Sequence, residues 1–265
     1  GSLTQSGAGT TTLTGTNSYV NTTISAGALQ IGNGGTTGSL GSGTVTNNAA
    51  LIINRSDAVT IANTISGTGT FTQAGAGTTT FITGAKSYTG ATFVNAGKLQ
   101  AGGANAFSAG SAVTVASGAV LEVNGFTNSI GGLAGSGTVQ NGTATGATLN
   151  VGGSANSSFD GIIQNGGSAF LAFNKGGLGG TLTLTGSNTY TGGTVVSAGV
   201  LSVSTLANGG TASNIGASTN AASSLILTGG TLRYTGAAVS TDRLFTVTTV
   251  GGTLDASGTG AVNFT

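Results

Sequence analysis

Short apolar runs alternate with polar residues along the whole chain. Every second residue is apolar in the run Thr181-Leu182-Thr183-Leu184-Thr185, and the stretches Leu51-Ile52-Ile53 and Leu225-Ile226-Leu227 are equally short. A period of two is typical of a β-strand that buries one face, and the Gly, Asn, Ser and Ala residues between the runs favour turns. No window keeps helical spacing over a useful length, and no run reaches the roughly 18 apolar residues that a membrane-spanning helix needs. The pattern predicts an all-β protein.

Internal repetition predicts how these strands assemble. Residues 3–32, 71–102 and 173–204 share a glycine-rich turn, a strand with alternating threonines, a tyrosine and an Ala-Gly-x-Leu element. One coil of such strands cannot bury its apolar edge alone, whereas a coil stacked about 4.8 Å above it completes the backbone hydrogen bonds and extends the core. We therefore predict a right-handed, single-stranded parallel β-helix (a β-solenoid) that runs continuously over 1–265, with repeat units at approximately 1–66, 67–168 and 169–265.

Residues that recur at one repeat position are predicted to have structural roles. Glycine provides corners with positive φ, and a tyrosine in every copy indicates a shared packing role. A ladder of aromatic platforms for glycans is the alternative interpretation of the tyrosines. The positions concerned are Tyr19, Tyr88, Tyr190, Gly27, Gly97 and Gly199.

Composition narrows the class further. The chain has 52 glycines, no Pro, Cys, Met, Trp or His, and only 4% charged residues. Its hydrophobic fraction of 37% argues against a disordered Gly/Ser-rich chain, and the lack of proline suits a fold in which every coil needs its backbone donors. The net charge of +1 comes from scattered residues, which offer no patch for nucleic acid and no basic surface for anionic lipid.

One segment resembles a known family. The run 182–201, LTLTGSNTYTGGTVVSAGVL, is similar to the autotransporter-associated β-strand repeat, also called the passenger-associated transport repeat. Residues 3–32 and 71–102 match more loosely: Lys86-Ser87 replaces the Asn-Thr pair at 188–189, and the first copy is one residue shorter after its tyrosine. The resemblance implies a β-helical passenger that is exported across the bacterial outer membrane and exposed at the cell surface. It also implies about 20–25 residues per coil, roughly eleven to thirteen coils, and a rod roughly 50–60 Å long.

Catalytic and metal-binding chemistry is not expected. Without His or Cys, neither a Ser-His-Asp arrangement nor a zinc site of the usual kind is available. Of the carboxylates, only Asp242 and Asp255 could meet on successive coils, and the expected role of both is that of solvated turn residues. We predict no catalytic residues, cofactor or metal. A β-helical polysaccharide-degrading enzyme remains an alternative that rests on fold analogy alone. The five carboxylates are Asp57, Glu122, Asp160, Asp242 and Asp255.

Rows of threonine are predicted to line outward faces as uncharged, hydrogen-bonding surfaces. Little like-charge repulsion would oppose self-association, so we predict an extracellular structural or adhesive segment. Its expected partners are further copies of itself, laterally or end to end as a filament, or a host or neighbouring cell surface. This segment is not expected to insert into a membrane or to bind nucleic acid. An ice- or surface-binding solenoid is the other alternative, which the irregular spacers disfavour. The candidate contact residues are Thr11, Thr79, Thr181, Thr183, Arg233 and Tyr234.

Overall fold

Alternation along each strand creates one common interior. Leu182 and Leu184 are buried, whereas Thr181 and Thr183, which alternate with them, are half-buried on the outside. The same inside–outside alternation holds in most strands, and the interior is filled mainly by Val, Ile, Leu and Phe. The computed structural model, which describes residues 1–82, 84–177 and 179–265, is a parallel β-helix of about twelve coils. The predicted all-β, parallel β-helical fold is confirmed.

Each coil follows the same order of three faces, so that the cross-section has three sides. Face 1 is one unbroken sheet of twelve strands, face 2 contains the strands that follow face 1 along the chain, and face 3 contains those that precede it. Every strand ladder in the described part of the chain is parallel, and one isolated antiparallel bridge joins Asn188 to Ser213. The same residues include no helix long and apolar enough to cross a membrane, and Ala222–Ser224 form a 3-10 turn.

The strands are numbered in chain order. Face 1 consists of β2 (Thr10–Leu13), β4 (Ala28–Ile31), β6 (Ala50–Ile53), β9 (Thr70–Gln73), β11 (Thr92–Val94), β13 (Ala112–Val115), β16 (Gly132–Gly135), β19 (Ser157–Phe159), β22 (Thr181–Leu184), β24 (Val200–Val203), β26 (Thr231–Tyr234) and β29 (Thr253–Asp255). Face 2 consists of β7 (Ala58–Ile61), β10 (Thr78–Phe81), β12 (Lys98–Ala101), β14 (Val120–Glu122), β17 (Thr138–Asn141) and β20 (Ile162–Gly166), and further along of β27 (Val239–Thr241) and β30 (Val262–Phe264). Face 3 consists of β1 (Leu3–Gln5), β3 (Thr22–Ile24), β5 (Val45–Asn47) and β8 (Ile65–Ser66), and further along of β15 (Asn128–Ile130), β18 (Ala147–Val151), β21 (Leu171–Lys175), β23 (Thr194–Val196), β25 (Leu225–Leu227) and β28 (Thr246–Val247).

Coil length varies because loops are inserted at the corners. Along face 1 the shortest coil runs from Thr10 to Ala28, a step of 18 residues, and the longest from Val200 to Thr231, a step of 31 residues. The extra length of the longest coil lies in residues 204–224, between β24 and β25. At about 4.8 Å per coil, twelve strands make a rod roughly 50 Å long.

The sequence repeat and the structural coil are different units. The first and third copies begin on face 3, at β1 and β21, whereas the second copy begins on face 1, at β9. The same motif therefore builds the corner from face 3 to face 1 in two copies and the corner from face 1 to face 2 in the other. The motif is therefore not tied to one outer face. The face on which a copy lies depends on where along the coil that copy begins.

Polar side chains close the corners from inside. The Gln73 side-chain amide donates to the backbone oxygens of Gly75 at 2.7 Å and Gly77 at 3.2 Å, and its oxygen accepts the hydroxyl of Thr79. Gln5 makes the same three bonds, with Gly7, Gly9 and Thr11. In the third copy Lys175 takes the glutamine position and donates to the Gly176 oxygen at 2.6 Å, and Leu182 stands where the other copies have threonine. Because a lysine side chain offers no hydrogen-bond acceptor, a threonine hydroxyl at position 182 would find no partner on residue 175.

Replacing the Gln–Thr pair of the second copy with the Lys–Leu pair of the third is expected to show that the two positions are energetically coupled. Thr79→Leu leaves the Gln73 oxygen without its donor, and Gln73→Lys leaves the Thr79 hydroxyl without its acceptor, so each change should cost about 1–3 kcal/mol. Combining the two reproduces the Lys–Leu pair and should cost clearly less than the sum of the single changes. Urea denaturation of the four proteins measures the coupling. Thr80→Leu, on the outer side of the same strand, is the control, and strict additivity would contradict the proposed corner pair.

Candidate interaction surface

The structure separates the four predicted contact threonines into two groups. Thr181 and Thr183 lie on the outside of face 1, as expected. Thr79 instead points inward, opposite Leu99 in the next coil, and is 0% exposed. Thr11 has the same inward orientation, bonds to Gln5, and is exposed only because it lies in the first strand of face 1. The prediction of a surface role for Thr79 is therefore wrong, and Thr11 belongs to a corner rather than to an outer face. Three successive threonines obscure the phase of the strand, which the structure sets by placing Phe81 on the same side as Thr79, and Leu13 on the same side as Thr11.

The predicted Arg233–Tyr234 surface pair is only half correct. Arg233 points outward, and its Nε donates to the Asp255 carboxylate at 2.8 Å. Tyr234 points inward, is 5% exposed, and donates its hydroxyl to the Ala237 oxygen at 2.7 Å. Adjacent strand residues face opposite sides, so the two cannot present one surface. As a contact residue Tyr234 is a wrong prediction.

The repeated tyrosines lie at corners and not in one row. Tyr88 precedes a face 1 strand, and Tyr190 precedes a face 3 strand. Both are buried, and their hydroxyls bond to Thr92 and Thr194 at 2.6 Å. Burial raises the pKa of Tyr88 to about 12 and also raises the pKa of Tyr190. This placement argues against an aromatic ladder for glycans.

The first copy lacks this hydroxyl pair. Thr92 follows Tyr88 by four residues, whereas the first copy is one residue shorter and Thr22 follows Tyr19 by three. The Tyr19 hydroxyl oxygen is buried and has no hydrogen-bond partner among the described residues. The one-residue deletion seen in the sequence therefore accounts for the missing bond.

Tyrosine-to-phenylalanine changes should lower stability in the second and third copies but not in the first. Tyr88→Phe and Tyr190→Phe each remove one partner of a buried hydrogen bond and are expected to lower the free energy of unfolding by about 1–2 kcal/mol. Tyr19→Phe removes a hydroxyl without a partner and should be neutral or slightly stabilising. Thermal denaturation of the three variants tests this, and a loss at Tyr19 equal to that at Tyr88 would contradict it.

The repeated glycines all occupy left-handed corners. Gly27, Gly97 and Gly199 have φ values of +63°, +57° and +64°. A Cβ at Gly97 would overlap the backbone oxygens of Gly75 and Gly77 in the preceding coil. The Ala-Gly-x-Leu element thus fixes a corner that only glycine can form.

The carboxylates are engaged separately rather than grouped. Asp255 accepts from Arg233, whereas Asp242, which follows a face 2 strand, accepts from the backbone nitrogen of Gly209 at 2.7 Å. A hydrogen bond from Arg55 lowers the pKa of Asp57, and hydrogen bonds from Ser257 and Arg233 lower the pKa of Asp255. A lowered pKa disfavours a general-acid role. Within the described ranges no three His, Cys, Asp or Glu residues could jointly hold a metal ion.

The outer side of face 1 is the longest continuous surface of the rod. We call the outward side of its first ten strands, β2 to β24, the neutral face, because none of the described residues pointing outward within these strands is charged. The exposed carboxylate of Asp160 lies at its edge, just beyond β19, and accepts hydrogen bonds from Ser158 at 3.0 Å and from Thr185 at 2.7 Å. Thr, Ala, Ser, Gln, Gly and Val predominate, and Ile52 and Phe93 are the bulky apolar members. Arg233 and Asp255 follow only on the last two strands. One outward column of the neutral face consists of Thr12, Gln30, Ile52, Thr72, Phe93, Thr114, Ala134, Ser158, Thr183 and Ser202.

This mixed column bears on the ice-binding alternative. A flat threonine array would need threonine at the same outward position in many successive coils. Here Gln30, Ile52 and Phe93 occupy three of the first five positions of the column, and threonine occupies only two. The spacing does not favour an ordered-water surface.

These features define a class of protein: a β-helical rod whose repeat is built into its interior corners. The passenger-associated-transport-repeat family model matches residues 3–31, 71–101 and 179–203, the same three copies that the structure places at corners. The chain therefore carries the repeats of autotransporter passengers, and the resemblance noted in the sequence is confirmed.

One relative extends the similarity beyond the repeats. The Adhesin BmaC autotransporter of Brucella suis biovar 1 (strain 1330) is 40% identical over 213 residues, which is 78% of this chain. The chain spans only 6% of that protein's length. No solved structure is significantly similar to the chain.

Proposed function

We propose that this chain is a stiff adhesive segment of a passenger displayed outside the bacterial cell, and that it makes contact through its uncharged lateral surface. The neutral face is the observation that carries the proposal: the outward side chains of its ten successive strands are hydroxyl, amide and apolar groups without a charge. The similarity to a protein named as an adhesin autotransporter supports the same function. The partner is a host surface, a neighbouring cell or another passenger.

The charged residues support a contact function rather than catalysis. Arg55 pairs with Asp57 at 2.6 Å, Lys98 with Glu122 at 3.5 Å, and Arg233 with Asp255 at 2.8 Å. Because these six charges are paired locally and the net charge is only +1, little long-range repulsion opposes close approach of two such segments. We propose no enzymatic activity for the segment.

Adhesion of coated beads tests this function. Beads carrying the purified chain are expected to bind cultured epithelial cells, or one another, more strongly than albumin-coated beads. Binding should persist from about 0.05 to 0.5 M NaCl, because screening weakens charge–charge attraction but not apolar contact. If the coated beads bind neither cells nor each other above the albumin level, the proposed adhesive function is wrong.

A further inference from the structure

We infer that the corner between face 2 and face 3 binds an extended, uncharged, β-1,4-linked oligosaccharide, whose sugar rings stack on Phe126 and Phe170. We call the outward side of residues 123–127, 142–146 and 167–170 the aromatic corner, since these three segments join successive strands of face 2 to successive strands of face 3. The inference goes beyond the proposed contact through the neutral face, because it concerns another side of the rod and a defined class of ligand.

Two exposed phenylalanines mark this corner. Phe126 is 36% exposed and Phe170 is 49% exposed, whereas phenylalanines such as Phe71 and Phe173 are buried in the interior. Phe126 lies just before β15 and Phe170 just before β21, with one coil between them. They are therefore two coils apart, roughly 10 Å along the rod. Unlike the repeated tyrosines, both rings reach solvent on the same corner.

Glycines in the two neighbouring coils make room for the Phe170 ring. A Cβ added at Gly146, in the preceding coil, would lie 2.5 Å from Phe170 Cζ, and one added at Gly192, in the following coil, would lie 2.6 Å from Cδ2. The ring thus lies against the backbone of both coils and keeps about half of its surface free. A ring held in this way presents its free surface in one orientation, which reduces the entropic cost of binding a ligand.

Oriented amide groups lie beside the phenylalanines. Gln140 and Gln164 occupy the same outward position of successive face 2 strands, immediately before the corner. Gln164 Nε2 donates to Gln140 Oε1 at 2.9 Å, and Gln140 Nε2 donates to Glu122 Oε2 at 2.8 Å. Glu122 Oε1 accepts from the backbone nitrogens of Asn124 at 3.1 Å and Gly142 at 2.6 Å. The amides are therefore fixed from one end, and Gln164 Oε1 accepts from none of the described residues, which leaves it available to a sugar hydroxyl.

The chemistry of the corner suits an uncharged sugar. A pyranose ring carries C–H groups on its faces and hydroxyls around its edge, so aromatic rings bordered by amides and hydroxyls complement it. Thr145 and Ser168 add exposed hydroxyls. No residue of the aromatic corner is charged, and the Glu122 carboxylate beside it is only 2% exposed. An anionic glycan would find no cation on this corner to pair with.

The spacing favours an extended chain that runs along the rod. In a β-1,4-linked chain alternate rings turn the same face to one side, and two rings cover about the same length as two coils. Phe126 and Phe170 would therefore stack on the first and third of three consecutive rings. On the two coils before Phe126 the same corner opens into a groove of about 320 Å³ between Ile82 and residues 102–106, which continues the path. From this groove to Phe170 the corner extends over four coil steps, roughly 20 Å.

Isothermal titration with hexasaccharides tests the binding. Cellohexaose and chitohexaose are the β-1,4-linked probes, and maltohexaose, whose α-linked chain coils instead of extending, is the control. At least one β-linked probe is expected to bind with a Kd of about 0.1–1 mM, and maltohexaose at least about tenfold more weakly. Absence of binding by both β-linked probes up to about 5 mM, or equal binding of maltohexaose, would overturn the inference.

Conservative variants test the assignment to the two rings. Leucine keeps the apolar bulk but lacks an aromatic face, so Phe126→Leu and Phe170→Leu should each weaken binding about three- to tenfold, and the double variant should lose it. The matched control is Phe93→Leu, which removes an outward phenylalanine from face 1 and should leave the affinity unchanged. Circular dichroism melts establish that all variants remain folded. Unchanged affinity in the folded double variant would show that the sugar does not stack on these rings.

The bead assay distinguishes this inference from the proposed function. A chain that binds neither β-linked hexasaccharide, but whose coated beads still bind cells, would overturn the sugar site and leave the adhesive function in place. A chain that binds a β-linked hexasaccharide through Phe126 and Phe170, but whose beads bind neither cells nor each other, would support the sugar site and remove the proposed function.

Discussion

Replacing Arg243 with methionine is expected to lower the free energy of unfolding by about 3–5 kcal/mol, because it removes a buried cation from a shell of backbone oxygens. Arg243 is 2% exposed and faces residues 204–224, the segment that lengthens the longest coil. Its guanidinium nitrogens donate over 2.7–3.4 Å to the oxygens of Ala207, Asn208, Thr211, Gly216 and Ser218, and to the Ser218 hydroxyl.

The neighbouring carboxylate holds the same segment from another direction. Asp242 accepts from the Gly209 nitrogen at 2.7 Å and from the Asn220 side chain at 3.3 Å. Residues 204–224 are therefore held against the next coil by two adjacent charged residues, the anion Asp242 and the cation Arg243. Methionine can fill the space of the arginine stem but leaves the oxygens without donors.

The control for this prediction is Arg233→Met. The Arg233 side chain is 39% exposed and pairs with Asp255 at the surface, so its removal should cost no more than about 1 kcal/mol. Urea denaturation measures both variants, and hydrogen exchange should show faster exchange of amides in 204–224 for Arg243→Met alone. Equal stability of the two variants would show that the oxygen shell contributes little.

Gly97→Ala is expected to have an effect of similar size, about 3–5 kcal/mol, from two causes. A positive φ costs a non-glycine residue about 1–2 kcal/mol, and overlap with a packed backbone adds about 1–3 kcal/mol. The overlap falls on Gly75 and Gly77, whose corner is closed by Gln73. Relief would require the coils to separate, which would lengthen the hydrogen bond from Lys98 to the Gly77 oxygen, now 3.0 Å.

Gly118→Ala isolates the first of these causes. Gly118 has a φ of +80°, and an added Cβ there would meet no atom within 4 Å. It should cost only the backbone strain, about 1–2 kcal/mol. Thermal denaturation of both variants gives the comparison. If Gly97→Ala lost no more stability than Gly118→Ala, close approach of the coils would not be what selects glycine at Gly97.

The sequence contained enough information to predict the fold but not the phase of every strand. Alternation and repetition predict stacked parallel coils, because each coil can bury its apolar side only against another. At Thr79 the alternation is obscured by three successive threonines followed by two apolar residues, Phe81 and Ile82, and it is the burial of Phe81 that turns Thr79 inward. Tyr234 was misassigned for a related reason, since an isolated tyrosine is compatible with either side of a strand.

Arg243 shows a different limit of sequence reasoning. The Asp242-Arg243 pair has the appearance of a solvated turn, and the oxygens that bury the arginine come from a loop some 30 residues earlier. This shell of oxygens forms only when one coil packs against the next, so no local sequence pattern predicts it. By contrast, the missing partner of Tyr19 follows directly from a deletion that is visible in the aligned copies.

The placement of one repeat motif on different corners has a consequence for how such passengers can diverge. A chain that gains or loses a third of a coil at a corner would carry every downstream residue around to the adjacent side of the rod, and the Gln, Tyr and Gly positions would still find equivalent surroundings. Outer residues could therefore be reassigned from one side to another in a single step, without redesign of the interior. Variation in surface display and preservation of foldability are, in this architecture, largely independent.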